Sequence, residues 1–166
     1  MKKSCFIFSV LLFSIVSFAQ NGIDTTPAYK RFPTVPPFKL LQTDSVSVFT
    51  KDNLKKNKPV LIILFNPECD HCKHETEEII KHIEELKKVQ IIMATMAQYN
   101  QMKDFYIKYK LGEFKNIKVG QDFQYMLPSF YRVRSLPYLA MYDQKGNLVT
   151  TFEGSMKIED LINIFK

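Results

Sequence analysis

Hydrophobic residues follow two patterns along this chain, continuous apolar runs and stripes at helical spacing. The run Val60–Phe65 is apolar at every position and rich in β-branched residues, which predicts a strand covered on both faces. Gln90–Thr95 predicts a second buried strand by the same pattern. Tyr138–Tyr142 and Leu148–Phe152 are separated by a short Gly-containing segment, which predicts an antiparallel hairpin.

Apolar residues three and four positions apart predict the helices. The clearest stripe runs from Cys72 to Leu86, with glutamates early and lysines late, as the helix dipole favours. A second helix is predicted from Gln98 to Leu111, ending at Gly112, and a third over Ile158–Phe165. The segment between strand and hairpin predicts one or two helical turns over Phe123–Phe130, interrupted by Pro128.

The order of these elements predicts an α/β domain with a central mixed β-sheet flanked by helices. A βαβα unit, parallel in its strands, precedes an antiparallel hairpin and a closing helix. No internal repeat and no second domain is visible in the pattern. Shorter strands are predicted at Phe38–Leu40, Val46–Val48 and Ile117–Val119.

The first residues have the pattern of a secretory signal. Lys2 and Lys3 precede the apolar stretch Phe6–Phe18, and Ala19 ends a small-residue cleavage site. We therefore predict a signal peptide at residues 1–19 and a location in a bacterial periplasm, with an uncleaved N-terminal membrane anchor as the alternative. A proline-bearing stretch, residues 20–35, predicts an extended linker, and residues 36–166 predict one domain.

The distribution of charged residues does not change the predicted fold or location. The formal net charge is +6, and removal of Lys2 and Lys3 with the signal leaves about +4. The lysines are spread along the chain and are not interleaved with stacking aromatics, which predicts a solvated basic surface and no nucleic-acid partner. We expect a soluble mature protein, and its oligomeric state stays open. The lysines in question are Lys55, Lys56, Lys58, Lys87, Lys88, Lys103, Lys108 and Lys110.

The strongest chemical signal is the motif Cys69-Asp70-His71-Cys72, placed after the apolar run Val60–Phe65 and at the start of the clearest helix. The free N–H groups and the dipole of a helix start stabilise a thiolate there. A disulfide between these two cysteines closes a loop too small to constrain the unfolded chain appreciably. The pair is therefore predicted to catalyse thiol–disulfide chemistry.

Four short motifs follow one another along the chain, and one of them contains the two cysteines. Pro37–Leu40 precedes the first strand, Asn66–Cys72 forms the cysteine turn, Ser135–Tyr138 introduces the hairpin, and Tyr142–Asn147 connects its strands. With the element order, they resemble the thioredoxin fold, and most closely its TlpA/ResA-like branch of exported thiol–disulfide oxidoreductases. The resemblance covers roughly residues 36–165.

The resemblance implies a role for each matched residue. Cys69 is the expected nucleophile and Cys72 the resolving thiol, and Pro137 is the expected cis-proline, with the Leu136 backbone offered to an extended substrate. His71 is expected to tune Cys69 by stabilising its thiolate. No cofactor is implied. The implied partners are protein thiols and disulfides and a membrane or envelope redox partner.

The sequence departs from the thioredoxin pattern beside the motif. Glu68 stands where thioredoxins usually have Trp, and Ile63 stands where cytosolic thioredoxins have a buried acid that manages the resolving proton. The acids Glu68 and Asp70 oppose the influence of His71, because a nearby carboxylate disfavours a second negative charge. The direction of electron flow therefore stays open between reduction, oxidation and isomerisation.

A binding role is the alternative to catalysis. His74 together with the two cysteines suggests a metal cluster, and thiolates with imidazole suit copper. A structural zinc site needs four ligands, however, and His82 lies two helical turns further on. We therefore predict no metal site, with a thioredoxin-fold binding module or envelope copper carrier of little redox turnover as the rival function.

Overall fold

The computed structural model of the protein describes residues 25–166, so the predicted signal peptide and residues 20–24 lie outside the described part. Within the predicted linker, Ala28–Arg31 forms a helical turn, α1, and Thr34 makes an isolated bridge with Asn147. Val35 is buried against the domain. Ala28–Arg31 is therefore helical, and the residues after it are attached to the domain by apolar and backbone contacts, while the division into linker and domain stays a prediction.

The domain is built on one seven-stranded sheet. Its strands are β1 (Lys39–Leu41), β2 (Val48–Thr50), β3 (Val60–Phe65), β4 (Gln90–Thr95), β5 (Ile117–Gln121), β6 (Tyr138–Tyr142) and β7 (Leu148–Glu153). They lie in the order β2-β1-β5-β4-β3-β6-β7. The central strands β3, β4 and β5 run parallel to one another, while β6 is antiparallel to β3 and pairs with β7 as a hairpin. This mixed sheet confirms the predicted fold class.

Four further helices connect or close the strands. They are α2 (Asp70–Lys81), α3 (Tyr99–Lys108), α4 (Met126–Tyr131) and α5 (Ile158–Ile164), and short 3-10 turns lie at Lys51–Asn53 and Leu111–Glu113. Among residues 25–166, none of the helices combines the length and the apolar character needed to cross a bilayer.

The helix after the cysteines is shorter than its apolar stripe predicts. It ends at Lys81, whereas the prediction extended it to Leu86. Beyond it, N–H groups donate to carbonyls three residues earlier, as from Leu86 to Ile83 at 3.1 Å and from Val89 to Leu86 at 2.9 Å. These tighter turns keep a three-residue spacing, so Leu86 is still buried although the α-helix has ended.

Pro128 does not interrupt the helix before the hairpin, contrary to the prediction. It is the third residue of α4, in the first turn, where the missing N–H has no helical acceptor in any case. The buried carboxylate of Asp122 accepts the N–H groups of Met126 at 3.2 Å and Leu127 at 2.8 Å. Asp122 therefore caps this helix from the end of β5.

Both faces of the sheet are covered, and β3 divides its side chains between them. Leu61, Ile63 and Phe65 face one core cluster, which also contains Cys72. The alternate residues of β3 face the second cluster, with Tyr131 and the alternate β6 residues Tyr138, Ala140 and Tyr142. Because the strand is buried on both sides, its sequence shows no polar position, which is the pattern that predicted it.

Candidate active site

The cysteine motif lies at the carboxyl ends of the parallel strands. Cys69 is the N-cap of α2, and its N–H donates to the carbonyl oxygen of Asn66 at 3.0 Å. The side-chain oxygen of Asn66 accepts the N–H of Glu68 at 2.9 Å. Asn66 therefore forms the tight turn that carries the chain from β3 into the helix and places Cys69 at its first turn.

The Cys69 sulfur is positioned to carry negative charge. It accepts the backbone N–H of Cys72 at 3.3 Å, one of the unpaired donors of the helix start. That hydrogen bond and the positive end of the helix dipole both favour a thiolate. Cys69 is half-buried, whereas Cys72 is only 1% exposed, so a substrate disulfide reaches Cys69 first.

Cys72 is a poor thiolate in this environment. Burial chiefly, together with its hydrogen bond to Cys69 and the charge of Glu75, raises the pKa of Cys72 to about 12. The pKa is raised despite a hydrogen bond with the backbone of Asn66 that lowers it. Cys72 therefore keeps its proton at neutral pH, and its use as a nucleophile requires a proton acceptor nearby.

A buried acid stands one helical turn from Cys72. Glu75 is 2% exposed, and burial raises its pKa to about 7, although its hydrogen bond from Met156 and the charge of His74 both lower it. Residues three apart lie on the same face of a helix, so the carboxyl and the Cys72 thiol are neighbours. A group with a pKa near 7 can both accept and release a proton at neutral pH.

By sequence, Glu75 is one of the early glutamates that the helix dipole favours, whereas in the structure it is buried. The pattern held a signal that could have found it, because Glu75 shares the buried stripe of Cys72, Thr76 and Ile79. An acid on an apolar stripe, in a chain with Ile63 at the usual position of the buried acid, is a candidate for the proton acceptor.

The loop before β6 closes the site on the other side of Cys69. The Leu136–Pro137 peptide bond is cis, and the Cys69 thiol donates to the Leu136 carbonyl oxygen at 3.8 Å. The Pro137 carbonyl accepts the N–H of Gly154 at 2.8 Å, which ties this loop to the end of β7. The structure therefore brings together the four residues predicted for nucleophile, resolving thiol and substrate backbone.

The side chain of His71 is less closely engaged. It is exposed, and within residues 25–166 its imidazole makes no hydrogen bond, although its carbonyl accepts the hydroxyl of Ser155 at 3.2 Å. Its neighbour Asp70 pairs with Lys73 at 2.8 Å, and this hydrogen bond chiefly lowers the pKa of Asp70. The tuning role of His71 stays a prediction.

A shallow cavity of about 450 Å³ opens beside the Cys69 sulfur. Apolar side chains form most of its wall, and one arginine and two small polar side chains complete it. Such a mixed lining suits a peptide segment better than a small charged metabolite. The lining residues besides Cys69 are Asn66, Met96, Pro128, Val133, Arg134, Ser135 and Leu136.

The residues considered for a metal do not converge. His74 is exposed, and His82, just beyond the end of α2, is held by Glu85 at 2.9 Å. Within the described part of the chain, no group of three or more His, Cys, Asp and Glu side chains is arranged to hold a metal ion.

Comparison with known proteins places the chain in a family. The sequence profile of the thioredoxin-like domain matches residues 48–166, and the chain belongs to that family. The predicted thioredoxin fold is thereby confirmed. No curated protein sequence matches the chain.

Several solved structures share this fold. A secreted Mycobacterium tuberculosis disulfide oxidoreductase homologous to Escherichia coli DsbE is 20% identical, with a TM-score of 0.64 over 76% of this chain and 92% of that one. StoA from Bacillus subtilis is 20% identical, with a TM-score of 0.60 over 81% and 100%. The exposed lipoprotein thioredoxin Etrx1 of Streptococcus pneumoniae is 23% identical, with a TM-score of 0.62 over 78% and 98%. These neighbours match the predicted TlpA/ResA-like branch in fold.

Proposed function

We propose that this protein is an exported thiol–disulfide oxidoreductase that exchanges disulfides with protein substrates through Cys69 and Cys72. The observation that carries the proposal is the Cys69 sulfur at the N-cap of α2, accepting the Cys72 N–H at 3.3 Å. That arrangement stabilises a thiolate at an accessible position and keeps its partner thiol buried. Structures that share the fold include disulfide oxidoreductases, which supports the assignment.

In the reducing direction, the Cys69 thiolate attacks one sulfur of a substrate disulfide. A Cys69–substrate disulfide forms, the substrate S–S bond breaks, and the second substrate sulfur leaves as a thiolate that takes up a proton. The carbonyl of Leu136 lies 3.8 Å from the attacking sulfur. We assign Leu136 and Pro137 to the binding of the substrate backbone as an added extended strand in the cavity beside Cys69.

In the second step, Cys72 displaces the substrate. Its thiol gives a proton to the Glu75 carboxylate, and the resulting thiolate attacks the Cys69 sulfur. A Cys69–Cys72 disulfide forms, the Cys69–substrate bond breaks and the substrate sulfur leaves as a thiolate that takes up a proton, so the two electrons of the protein dithiol reduce the substrate disulfide. The oxidising direction uses the same steps in reverse, with Glu75 returning the proton to Cys72.

Disulfide exchange with a reduced donor and a disulfide-bonded protein tests the proposal. Cys69→Ser is expected to abolish exchange, and Cys72→Ser to accumulate a mixed disulfide through Cys69. Val46→Ser, at an exposed position outside the motif, serves as the control and is expected to keep full exchange. Trapping through Cys72 instead of Cys69 would reverse the assigned roles, and exchange that survives Cys69→Ser would contradict the proposal.

Export is the second element of the proposal, with a periplasmic location and an envelope partner that resets the dithiol. The apolar stretch Phe6–Phe18 behind two lysines supports it, and two proteins that share the fold are described as secreted and as an exposed lipoprotein. Cell fractionation with N-terminal sequencing tests it. A mature N-terminus after Ala19 is expected, while cytosolic recovery of the intact chain would contradict export.

A further inference from the structure

Lysines gather at the edge of the sheet opposite the cysteines. Each central parallel strand is preceded by a lysine: Lys58 comes before β3, Lys88 before β4 and Lys115 before β5. The amino ends of parallel strands lie at one edge of a sheet, so the topology brings together charges that are far apart in sequence. The β6–β7 turn joins them, because Tyr142 pairs with Val60 and so places Lys145 at the same edge.

Two adjoining hollows at this edge are lined by lysines and by no acidic residue of the described chain. The first is lined by six lysines and the second by five, and two of them are shared. We call the nine residues together the lysine face. They are Lys51, Lys55, Lys56, Lys58, Lys87, Lys88, Lys115, Lys118 and Lys145. Five of the eight lysines that are spread along the sequence are therefore gathered on one face in the folded protein.

Little in the surroundings neutralises this charge. Lys87 has an ion pair with Glu84 at 3.6 Å, and within residues 25–166 the other eight lysines of the face have none. The carboxylate of Asp143 accepts the backbone N–H of Asn147 at 2.8 Å and also offsets part of the charge of Lys145 beside it, which leaves the other lysines of the face unchanged. Like charges at this density repel one another and attract a polyanion.

We propose that the lysine face binds an anionic membrane surface, through the phosphate groups of acidic phospholipids. Two hollows side by side spread the charge over a wide face, which suits an array of headgroups. The amide of Gln90 is already bonded to the backbone of Lys55, and that of Asn116 to Leu86 and Val89. Neither amide is available to build a fixed cradle around a single phosphate.

The lining also argues against nucleic acid. Single-stranded nucleic acid is held by basic grooves in which exposed aromatic rings stack on the bases. The residues that line the two hollows include one aromatic residue, Phe49. It is half-buried and stacks on Phe38, with ring centroids 6.1 Å apart. A membrane requires only the density of positive charge, which this face supplies.

Binding in this orientation has a consequence for the cysteines. The lysine face lies at the amino ends of β3, β4 and β5, whereas Cys69 lies beyond the carboxyl end of β3. A protein resting on its lysine face therefore presents the cysteine site away from the lipid, open to partners in solution. The proposal does not depend on the thiol chemistry, and either can fail alone.

Tryptophan fluorescence gives a direct test, because the chain has no tryptophan. Gln144→Trp places a reporter in the second hollow, and Tyr125→Trp places one on the exposed loop before α4. The full chain is mixed with vesicles of phosphatidylcholine alone or with acidic phosphatidylglycerol, both containing brominated lipid as quencher. We expect quenching at residue 144, only with the acidic vesicles, and none at residue 125.

Charge reversal separates the lysine face from net charge. Lys56→Glu, Lys88→Glu and Lys115→Glu change the face, while Lys103→Glu, Lys108→Glu and Lys157→Glu change other exposed lysines; each triple variant lowers the net charge from +6 to zero. We expect the face variant to bind acidic vesicles about tenfold or more weakly, and the control to stay within about threefold of the unmodified protein. All the proteins compared have the same N-terminus, so any contribution of that segment to binding is the same in each.

Four results would overturn the proposal. Equal quenching at residues 144 and 125, or equal losses in the two triple variants, would show that no particular face is used. Release by about 10 mM phosphate, without release by chloride of the same ionic strength, would indicate a single-phosphate site. Binding to a single-stranded oligonucleotide more tightly than to acidic vesicles would identify the face as a nucleic-acid surface.

Discussion

The backbone N–H of Met156 donates a 2.9 Å hydrogen bond to Oε2 of Glu75, a residue 81 positions earlier in the chain. Beside it, the hydroxyl of Ser155 donates to the carbonyl oxygen of His71 at 3.2 Å. These two contacts join the segment after β7 to the first turns of α2. They hold the Glu75 carboxyl inside the protein on the face of the helix that carries Cys72.

Glu75→Gln is expected to slow the step in which Cys72 releases the substrate, because the buried thiol loses its proton acceptor. A decrease of about a hundredfold is expected, the lower end of the range for general-base catalysis. Quenched-flow measurement of the mixed disulfide formed through Cys69 gives the rate of release directly. In the unmodified protein this rate should rise as Glu75 ionises, through a pH of about 7, and the variant should lack that rise.

Glu77→Gln is the matched control for this prediction. Glu77 is an exposed acid on the same helix, and its carboxylate accepts the Tyr109 hydroxyl at 3.3 Å. It should leave the release rate and its pH profile unchanged. Equal release rates and equal pH profiles for Glu75→Gln and the unmodified protein would exclude Glu75 as the proton acceptor.

The raised pKa of Glu75 also makes stability depend on pH. The unfolded carboxyl ionises near its usual value of 4.5, whereas the folded one ionises near 7, so between these values the folded state holds the extra proton. The contribution of Glu75 to the free energy of unfolding therefore falls as pH rises through this window. The slope is at most about 1.4 kcal/mol per pH unit.

Denaturant unfolding at several pH values between about 4 and 8 measures this effect. The free energy of unfolding of the unmodified protein should fall relative to that of Glu75→Gln as pH rises, since the variant has no carboxyl at this position. Every other ionisable group is common to both proteins, so the difference between them isolates the contribution of Glu75. Parallel pH profiles would show that the burial of Glu75 does not disfavour its charged form.

The sequence predicts the strands best where burial is complete. Val60–Phe65, Gln90–Thr95 and Tyr138–Tyr142 have the predicted bounds, because strands covered on both faces show unbroken apolar runs. At the edge of the sheet the hydrophobic pattern predicts the strand bounds less accurately. The predicted strand Val46–Val48 is instead Val48–Thr50, and Val46 is 80% exposed, because an edge hairpin buries too little to fix its bounds by pattern.

The cysteine pair is predictable because its chemistry depends on local spacing, four consecutive residues at the start of a helix. The sequence predicts the burial of Glu75 and the lysine face less well, since both depend on segments that are far apart in the sequence. Glu75 is buried because the segment at Met156 packs against it. The lysine face forms because the amino ends of three parallel strands and the β6–β7 turn lie at one edge of the sheet. In each case the topology turns residues that look like ordinary surface charges into part of a site.

Metal removal tests the rival function of a copper carrier. We expect protein purified in reduced form, without added metal, to contain much less than one equivalent of copper or zinc. Disulfide exchange should persist in the presence of a chelator, because the proposed chemistry uses only thiols and the Glu75 carboxyl. A tightly held equivalent of copper that is lost in His74→Ala would instead support the carrier function.

The last prediction concerns His71, which is exposed beside the N-cap Cys69. The pairing of Asp70 with Lys73 at 2.8 Å offsets one of the two acids that oppose His71. The imidazole of His71, beside the helix start, is expected to stabilise the Cys69 thiolate, and thus the reduced form of the couple. His71→Ala should therefore make the Cys69/Cys72 couple more reducing by tens of millivolts, where about 30 mV corresponds to 1.4 kcal/mol.

Equilibration with glutathione buffers measures the potential, and the rate of Cys69 alkylation reports the thiolate independently. Both should change in the same variant, since loss of thiolate stabilisation lowers the potential and slows alkylation at neutral pH. His82→Ala is the control, because His82 lies beyond the end of α2 and is held by Glu85. The unmodified couple should fall between about −270 and −120 mV. If neither the potential nor the alkylation rate of His71→Ala differs from the His82→Ala control, His71 has no tuning role, and the direction of electron flow must then be set by the redox partner.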